Sequence, residues 1–189
     1  MRSLPALTLV LTVLTGAVAA EDIPSLFPER DVAITYRSTG VDSPPVEVSM
    51  SWMAARRLLR IDTPGVGWSV ADQAGGTGFI VMEDAKRVVD MPSGVLRRQL
   101  GPTAEARFTR EGTENIAGLS CTIWRYQDLG SEGRVCVTSD GVLLRSQGAV
   151  AGIPSGMDAV RVTYGAQDAA RFGLPEGYQR VQSRQRSTR

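Results

Sequence analysis

Apolar and polar residues alternate at a period of two through much of this chain. In the run 46–52, Val46, Val48, Met50 and Trp52 point one way and Glu47, Ser49 and Ser51 the other, as in a strand with one face in a core. Runs 32–37 and 159–164 alternate in the same manner, and shorter β-like runs occupy 57–62, 68–72, 79–82, 86–91, 108–111, 120–127, 134–138 and 142–146. Clusters of Gly, Pro, Ser and Asp separate them, including 38–45, 64–67, 75–78, 112–115, 128–133 and 152–156. The period changes between 92 and 106, where Val95, Leu96 and Leu100 alternate with Arg97, Arg98 and Gln99 as on a short amphipathic helix, with a further helical turn expected at 103–106 and another at 167–171. About ten short strands with one or two short helices predict a mainly β fold, a single antiparallel sheet too long to stay flat, which therefore curls.

Both cysteines fall in one hairpin of this pattern. Cys121 lies in the run 120–127 and Cys136 in 134–138, and the Asp140-Gly141 pair then turns the chain into 142–146. If Cys121 is directly opposite Cys136, Ile123 faces Arg134, Trp124 covers Gly133, and Thr122, Trp124 and Tyr126 share a face with Val135 and Val137, with Leu144 beside Val137. A bridge there closes a loop of about fifteen residues, worth roughly 3 kcal/mol in the chain-entropy model. The alternative is two buried free thiols.

The compartment bears on that choice. Residues 1–20 carry Arg2 near the start, an apolar stretch from Leu4 to Leu14 and small residues at the end, the form of a secretory leader and too short an apolar core for a membrane span. No second long apolar run follows, so a soluble product in the periplasm is expected, where disulfides persist. The segment 21–30 reads as loose, residues 21–178 as one domain, and residues 179–189, with four arginines and no acid, as a basic disordered tail.

Composition narrows the chemistry. Twenty-one Lys and Arg against 20 Asp and Glu give a net charge of +1, near zero once Arg2 leaves with the leader, which argues against nucleic acid as a partner. Histidine is absent, which removes Ser-His-Asp and Cys-His catalysis and every histidine-ligated metal site. The glycine clusters at 65–67 and 75–78 lack the spacing of a phosphate loop, and Ser155 between Pro154 and Gly156 does not make a nucleophile elbow. Asp62, Asp72, Glu83, Asp84 and Asp90 could in principle supply a carboxylate pair for glycoside hydrolysis, but nothing in the sequence gathers any two of them. No catalytic residue, metal site or cofactor is assigned. Trp52, Trp68 and Trp124 fall on separate predicted strands with Met50, Met82 and Met91 nearby in the pattern, and of these Trp52, Trp68 and Met50 are the candidates for lining an apolar concavity; ordinary core packing is the other reading of each.

The order of elements, a leader, a long antiparallel meander, a short helical interruption and further strands, resembles the LolA-like superfamily of periplasmic lipoprotein carriers. The segment 108–145, with Ile116-Ala117-Gly118-Leu119-Ser120-Cys121-Thr122-Ile123-Trp124 and Cys136-Val137-Thr138-Ser139-Asp140-Gly141-Val142-Leu143-Leu144-Arg145, and the closing Phe172-Gly173-Leu174-Pro175-Glu176-Gly177-Tyr178, are similar to an uncharacterised exported branch of it. The resemblance implies an unclosed, strongly curved half-barrel whose concave side is covered by helices and binds an apolar ligand such as a lipid or lipoprotein acyl chain. Matched positions are turns and cysteines, so no ligand contact is carried over. A cell-envelope module with a filled core that binds a protein partner is the alternative.

Overall fold

The computed structural model describes residues 23–40, 43–99, 101–150 and 153–181. The leader expected at 1–20 and residues 182–189 of the expected tail lie outside them.

Among the described residues, twelve strands form one sheet that does not close into a barrel. Strands β1 (Val32–Gly40), β2 (Ser43–Met53), β3 (Leu58–Thr63), β4 (Gly67–Asp72), β5 (Thr77–Met82) and β6 (Arg87–Asp90) are laid down in succession toward one edge. Helix α1 (Ser93–Gln99) lies on the crossing to the opposite edge, where β7 (Arg107–Ile116) begins. From there β8 (Leu119–Asp128), β9 (Ser131–Val137), β10 (Leu143–Val150) and β11 (Ile153–Tyr164) return step by step until β11 pairs with β1. Two meanders are thus sewn together along β1 and β11. These pairings are all antiparallel. The exception is β12 (Gln179–Val181), which joins β6 in parallel after the short 3-10 turn Ala169–Phe172.

Several expectations need correction. Residues 179–181 belong to the sheet and not to a disordered tail, because Gln179 donates its backbone N–H to the Lys86 carbonyl and starts a ladder along β6. The expected turn at 112–115 is strand: a bulge between Arg110 and Gly112 takes up one residue and lets β7 continue. Residues 153–156, read as loop, open β11, and 103–106 contain a turn but no helix. The segment 23–30 is not loose. It has no regular structure, yet Pro28 is buried and Leu26 and Phe27 pack against two clusters of the core.

The cysteine hairpin forms, with its register two residues away from the expected one. Cys136 is opposite Ile123, Trp124 opposite Val135 and Tyr126 opposite Gly133. The cause is the tight Leu129-Gly130 loop, both residues at positive φ (48° and 77°), which draws Ser131 into the ladder opposite Asp128. Cys121 and Cys136 still bridge, diagonally, with Cα atoms 5.4 Å apart. A slip of two preserves the faces, so Trp124 keeps Val135 and Val137 beside it, but Tyr126 and not Trp124 covers Gly133. A bulge between Leu143 and Arg145 also puts Leu143, not Leu144, opposite Val137.

Side chains from both faces of the sheet are buried. The inner face carries Val32, Ile34, Tyr36, Trp52, Leu59 and Ala71, under Leu96 of α1 and Phe27. On the other side of β3–β6, Leu58, Trp68, Val70, Val81 and Val88 are covered by Phe172 and Tyr178 of the C-terminal segment. Farther along the outer face, Glu111 pairs with Arg125 and Arg134, and Arg145 with Glu114 and Asp158.

Candidate functional site

Trp52 and Met50 share the inner face, where the register aligns Val32, Trp52 and Leu59 in one row and Ile34, Met50 and Ile61 in the next. Trp68 does not join them. It pairs with Asp62 and Val81, three residues from the inner-facing Ala71, and strand parity turns it to the outer face. There Arg60 lies 3.8 Å over its ring and Phe79 meets it edge-on. The expectation of one concavity lined by Met50, Trp52 and Trp68 is therefore corrected: the sheet separates the two tryptophans.

The chain itself already fills the space over Trp52, which is 1% exposed. Phe27 stacks on the indole at a centroid distance of 5.5 Å, and the indole N–H donates to the Pro28 carbonyl oxygen at 2.7 Å. Just beyond, the backbone N–H of Glu29 donates to the Asp140 carbonyl at 3.0 Å, and the Arg30 guanidinium bonds the Asp140 carboxylate at 3.1 Å. Arg30 also lies 3.8 Å over the ring of Tyr164, whose hydroxyl donates to Asp140. Burial alone would raise the Asp140 carboxyl, but hydrogen bonds from Thr138, Tyr164 and Arg30 together outweigh it and hold the group below its ordinary range. Residues 25–30 thus form a strap across the inner face, fastened at Trp52 and at Asp140.

What the strap leaves open is an apolar cleft beside it. About 350 Å³ in volume, it lies between the strap, α1 with its following loop, and the strands β7–β10, and is lined by Leu26, Phe108, Tyr126, Val135 and Ala149, with Arg97 and Leu129 at its margin. Its size falls at the lower end of the roughly 300–1,000 Å³ typical of small-molecule sites. Tyr126 lies over two bare positions: a Cβ on Gly133 would come within 2.8 Å of its ring, and one on Gly148 within 3.2 Å of its hydroxyl. Two glycines on adjacent strands give the aromatic ring a flat bed. Partial burial, aided by the nearby Asp128 charge, pushes the Tyr126 phenol up and keeps it neutral. Asp128 is itself engaged, accepting from the backbone N–H of Thr103 at 3.1 Å and from its hydroxyl at 2.5 Å, which pins the loop that forms one wall. A larger hollow of about 560 Å³ beside Arg30, Thr138 and Asp140 has a polar lining.

The fold has relatives among solved structures. An uncharacterised conserved protein from Thermus thermophilus superposes with a TM-score of 0.60 at 14% identity, over 82% of this chain and 91% of that one. MucB in the MucA/MucB complex of Pseudomonas aeruginosa gives 0.51 at 11% identity over 80% of this chain, which spans only 58% of the length of that one. These likenesses establish shared architecture and no more. A LolA-superfamily protein from Nitrosomonas europaea matches at 0.40 and 9% identity, too distant to add to the family resemblance. No family model matches the sequence, and no curated protein does.

The cleft residues escape a reading of the sequence. Alternation places Tyr126 and Val135 on a common face, but Leu26, Phe108 and Ala149 come from three separate stretches: the β7–β10 register brings in Phe108 and Ala149, and the irregular segment 25–30 lays Leu26 against them. The usable signal is the pair of glycines, 133 and 148, at positions where strands otherwise carry side chains. Among the described residues no group of three or more metal-ligating side chains converges, and no helix is long and apolar enough to cross a membrane.

Proposed function

We propose that the protein is an exported, soluble binder of an apolar ligand, of the class of a lipid or lipoprotein acyl chain, held in the cleft beneath α1. The observation that carries this reading is the cleft itself, an apolar recess walled by Leu26, Phe108, Tyr126 and Val135 whose lining carboxylate, Asp128, is already bonded to Thr103. Each CH₂ taken from water there contributes about 0.8 kcal/mol, so affinity should rise with chain length until the cleft is full. Residues 1–20 would direct export, and the LolA-like order of elements supports a periplasmic carrier. The test is displacement of a fluorescent fatty-acid probe, compared with Tyr126→Ala and Phe108→Arg. Both variants should weaken binding at least tenfold while the fold persists; equal binding by all three proteins would remove the cleft from the reading.

A second reading has its own observation. Strand β7 is one end of the sheet and, among the described residues, has a neighbouring strand on one side only, which is where an extended peptide adds by backbone hydrogen bonding. MucB, with which the fold is shared, was solved in complex with MucA. A cell-envelope protein partner docked along β7 would protect amides of Arg107–Ile116 from exchange, whereas an acyl chain in the cleft would leave the outward-facing amides of that strand open.

A further inference from the structure

The strands that wall the cleft carry a second hollow on their other face. Strand parity puts Tyr126 and Val135 on the cleft side of β8 and β9, and Ile123, Arg125, Arg134 and Cys136 on the reverse. There the register aligns Ile123, Cys136 and Arg145 in one row and Arg125, Arg134 and Gln147 in the next. Strands β7 and β11, four positions apart in the sheet, come close together, so the meander rolls, and Glu114 of β7 reaches Arg145 of β10 at 2.6 Å. The space enclosed is about 350 Å³, lined by Ile123 and Cys136 between Glu111, Glu114, Arg134 and Arg145. Two bulges shape it. Glu111 is the extra residue of one, and Arg145 directly follows Leu144, the extra residue of the other.

The two ends of this hollow have opposite charge. At one end the Glu111 carboxylate accepts from Arg125 at 2.7 Å and from Arg134 at 2.8 Å, two guanidinium groups on one carboxylate. The Arg125 bond, with that of Arg134, outweighs burial and holds the Glu111 carboxyl below its ordinary range. Arg134 spends only its Nε on Glu111. Among the described residues neither of its terminal nitrogens has a hydrogen-bond partner, which leaves a fork of the kind that takes a carboxylate in two bonds. At the other end the ratio is reversed, and one guanidinium, Arg145, serves two carboxylates, Glu114 and Asp158. An excess positive charge at Glu111 thus stands three residues along β7 from an excess negative one at Glu114, about 10 Å at the rise of a strand.

We propose that this hollow binds a short peptide with both ends free, about three residues long, its C-terminal carboxylate on Arg134 and its N-terminal ammonium on Glu114. The carboxylate takes the open fork of Arg134. The ammonium donates to Glu114, whose partner Arg145 is shared with Asp158. An extended chain of three residues spans about 10 Å, the separation of the two charged ends, whereas a free amino acid is too short to reach both. An ion of one sign satisfies one end and is repelled by the other. Ile123 and Cys136 give the middle of the chain apolar contact. The site lies across β8 and β9 from the cleft and is independent of what the cleft holds.

The experiment is calorimetric titration, at neutral pH, of trialanine, its N-acetylated form, its C-terminal amide and free alanine into the wild-type protein, Arg134→Gln and Glu114→Gln. The wild type should bind trialanine, and blocking either end should weaken binding about tenfold or more, the worth of one charge-assisted hydrogen bond. Alanine should be weaker by a similar factor. Arg134→Gln should no longer distinguish trialanine from its amide yet still reject the acetylated form, and Glu114→Gln should do the reverse. The comparison of free and blocked ends on the wild type needs no variant, so a substitution that fails to fold leaves the test intact. No saturable binding of trialanine, equal binding of its blocked forms or of alanine, or variants that keep the wild-type order of affinities would overturn the site.

Discussion

The indole N–H of Trp52 donates to the backbone oxygen of Pro28 at 2.7 Å, a bond between two buried groups twenty-four residues apart. It fixes an otherwise irregular stretch of chain against the middle of a twelve-stranded sheet. Replacing Trp52 by Phe keeps an aromatic ring for Phe27 to stack on but leaves the Pro28 carbonyl without its donor. The loss should be about 1–3 kcal/mol, the cost of an orphaned buried acceptor, read as a lower urea midpoint. An unchanged midpoint would mean the bond contributes nothing net.

Leu129 occupies a left-handed backbone position, φ 48°, in the two-residue loop between β8 and β9, and is 65% exposed. Asparagine takes that conformation more readily, and Asn-Gly is the preferred pair for such a loop. Leu129→Asn should therefore stabilise the protein by about 1 kcal/mol. Because Leu129 also borders the cleft, the same variant should bind an acyl probe more weakly. A gain in stability with no change in binding would make Leu129 a bystander.

The Cys121–Cys136 bridge spans fifteen residues of sequence and ties together the two strands that carry Tyr126 and Val135. Changing both cysteines to Ala should cost about 3 kcal/mol by the loss of loop constraint. Unfolding of the wild-type protein with and without reductant gives the same comparison without mutation. A shift below about 1 kcal/mol would contradict a stapling role.

Acid should loosen the strap. The Asp140 carboxyl is held below its ordinary range when folded, so between that value and the unfolded value near 3.9 the unfolded chain binds more protons. Its contribution to stability is fully present above about pH 4 and is lost as pH falls through the folded value. Asp140→Asn should be less stable than the wild type at neutral pH, with the difference shrinking below about pH 4. A difference that stays constant down to about pH 2 would show that the ionised carboxylate is not what Arg30, Tyr164 and Thr138 hold.

Much of the architecture is legible in the sequence because strand alternation is local. The run 46–52 announces which side of β2 faces inward, and Trp52 is indeed buried there. The face taken by Trp68 is not legible, since it depends on how β3 and β4 register across the turn at 64–66, and one residue of slip reverses it. The cysteine hairpin can be seen but its pairing comes out two residues away, because a Leu-Gly loop carries no recognisable turn signature. The strap is invisible for a different reason: residues 25–30 have no periodicity, and their partners, Trp52, Asp140 and Tyr164, are distant in sequence. The cleft is likewise a product of long-range pairing, with walls contributed by residues from Leu26 to Ala149.

Native mass spectrometry of the purified protein, followed by lipid extraction, decides whether the cleft holds an acyl chain. The expected result is a bound acyl-chain species at one per protein, released on denaturation and diminished in Tyr126→Ala. A clean apo mass that takes up neither added fatty acid nor phospholipid would contradict it.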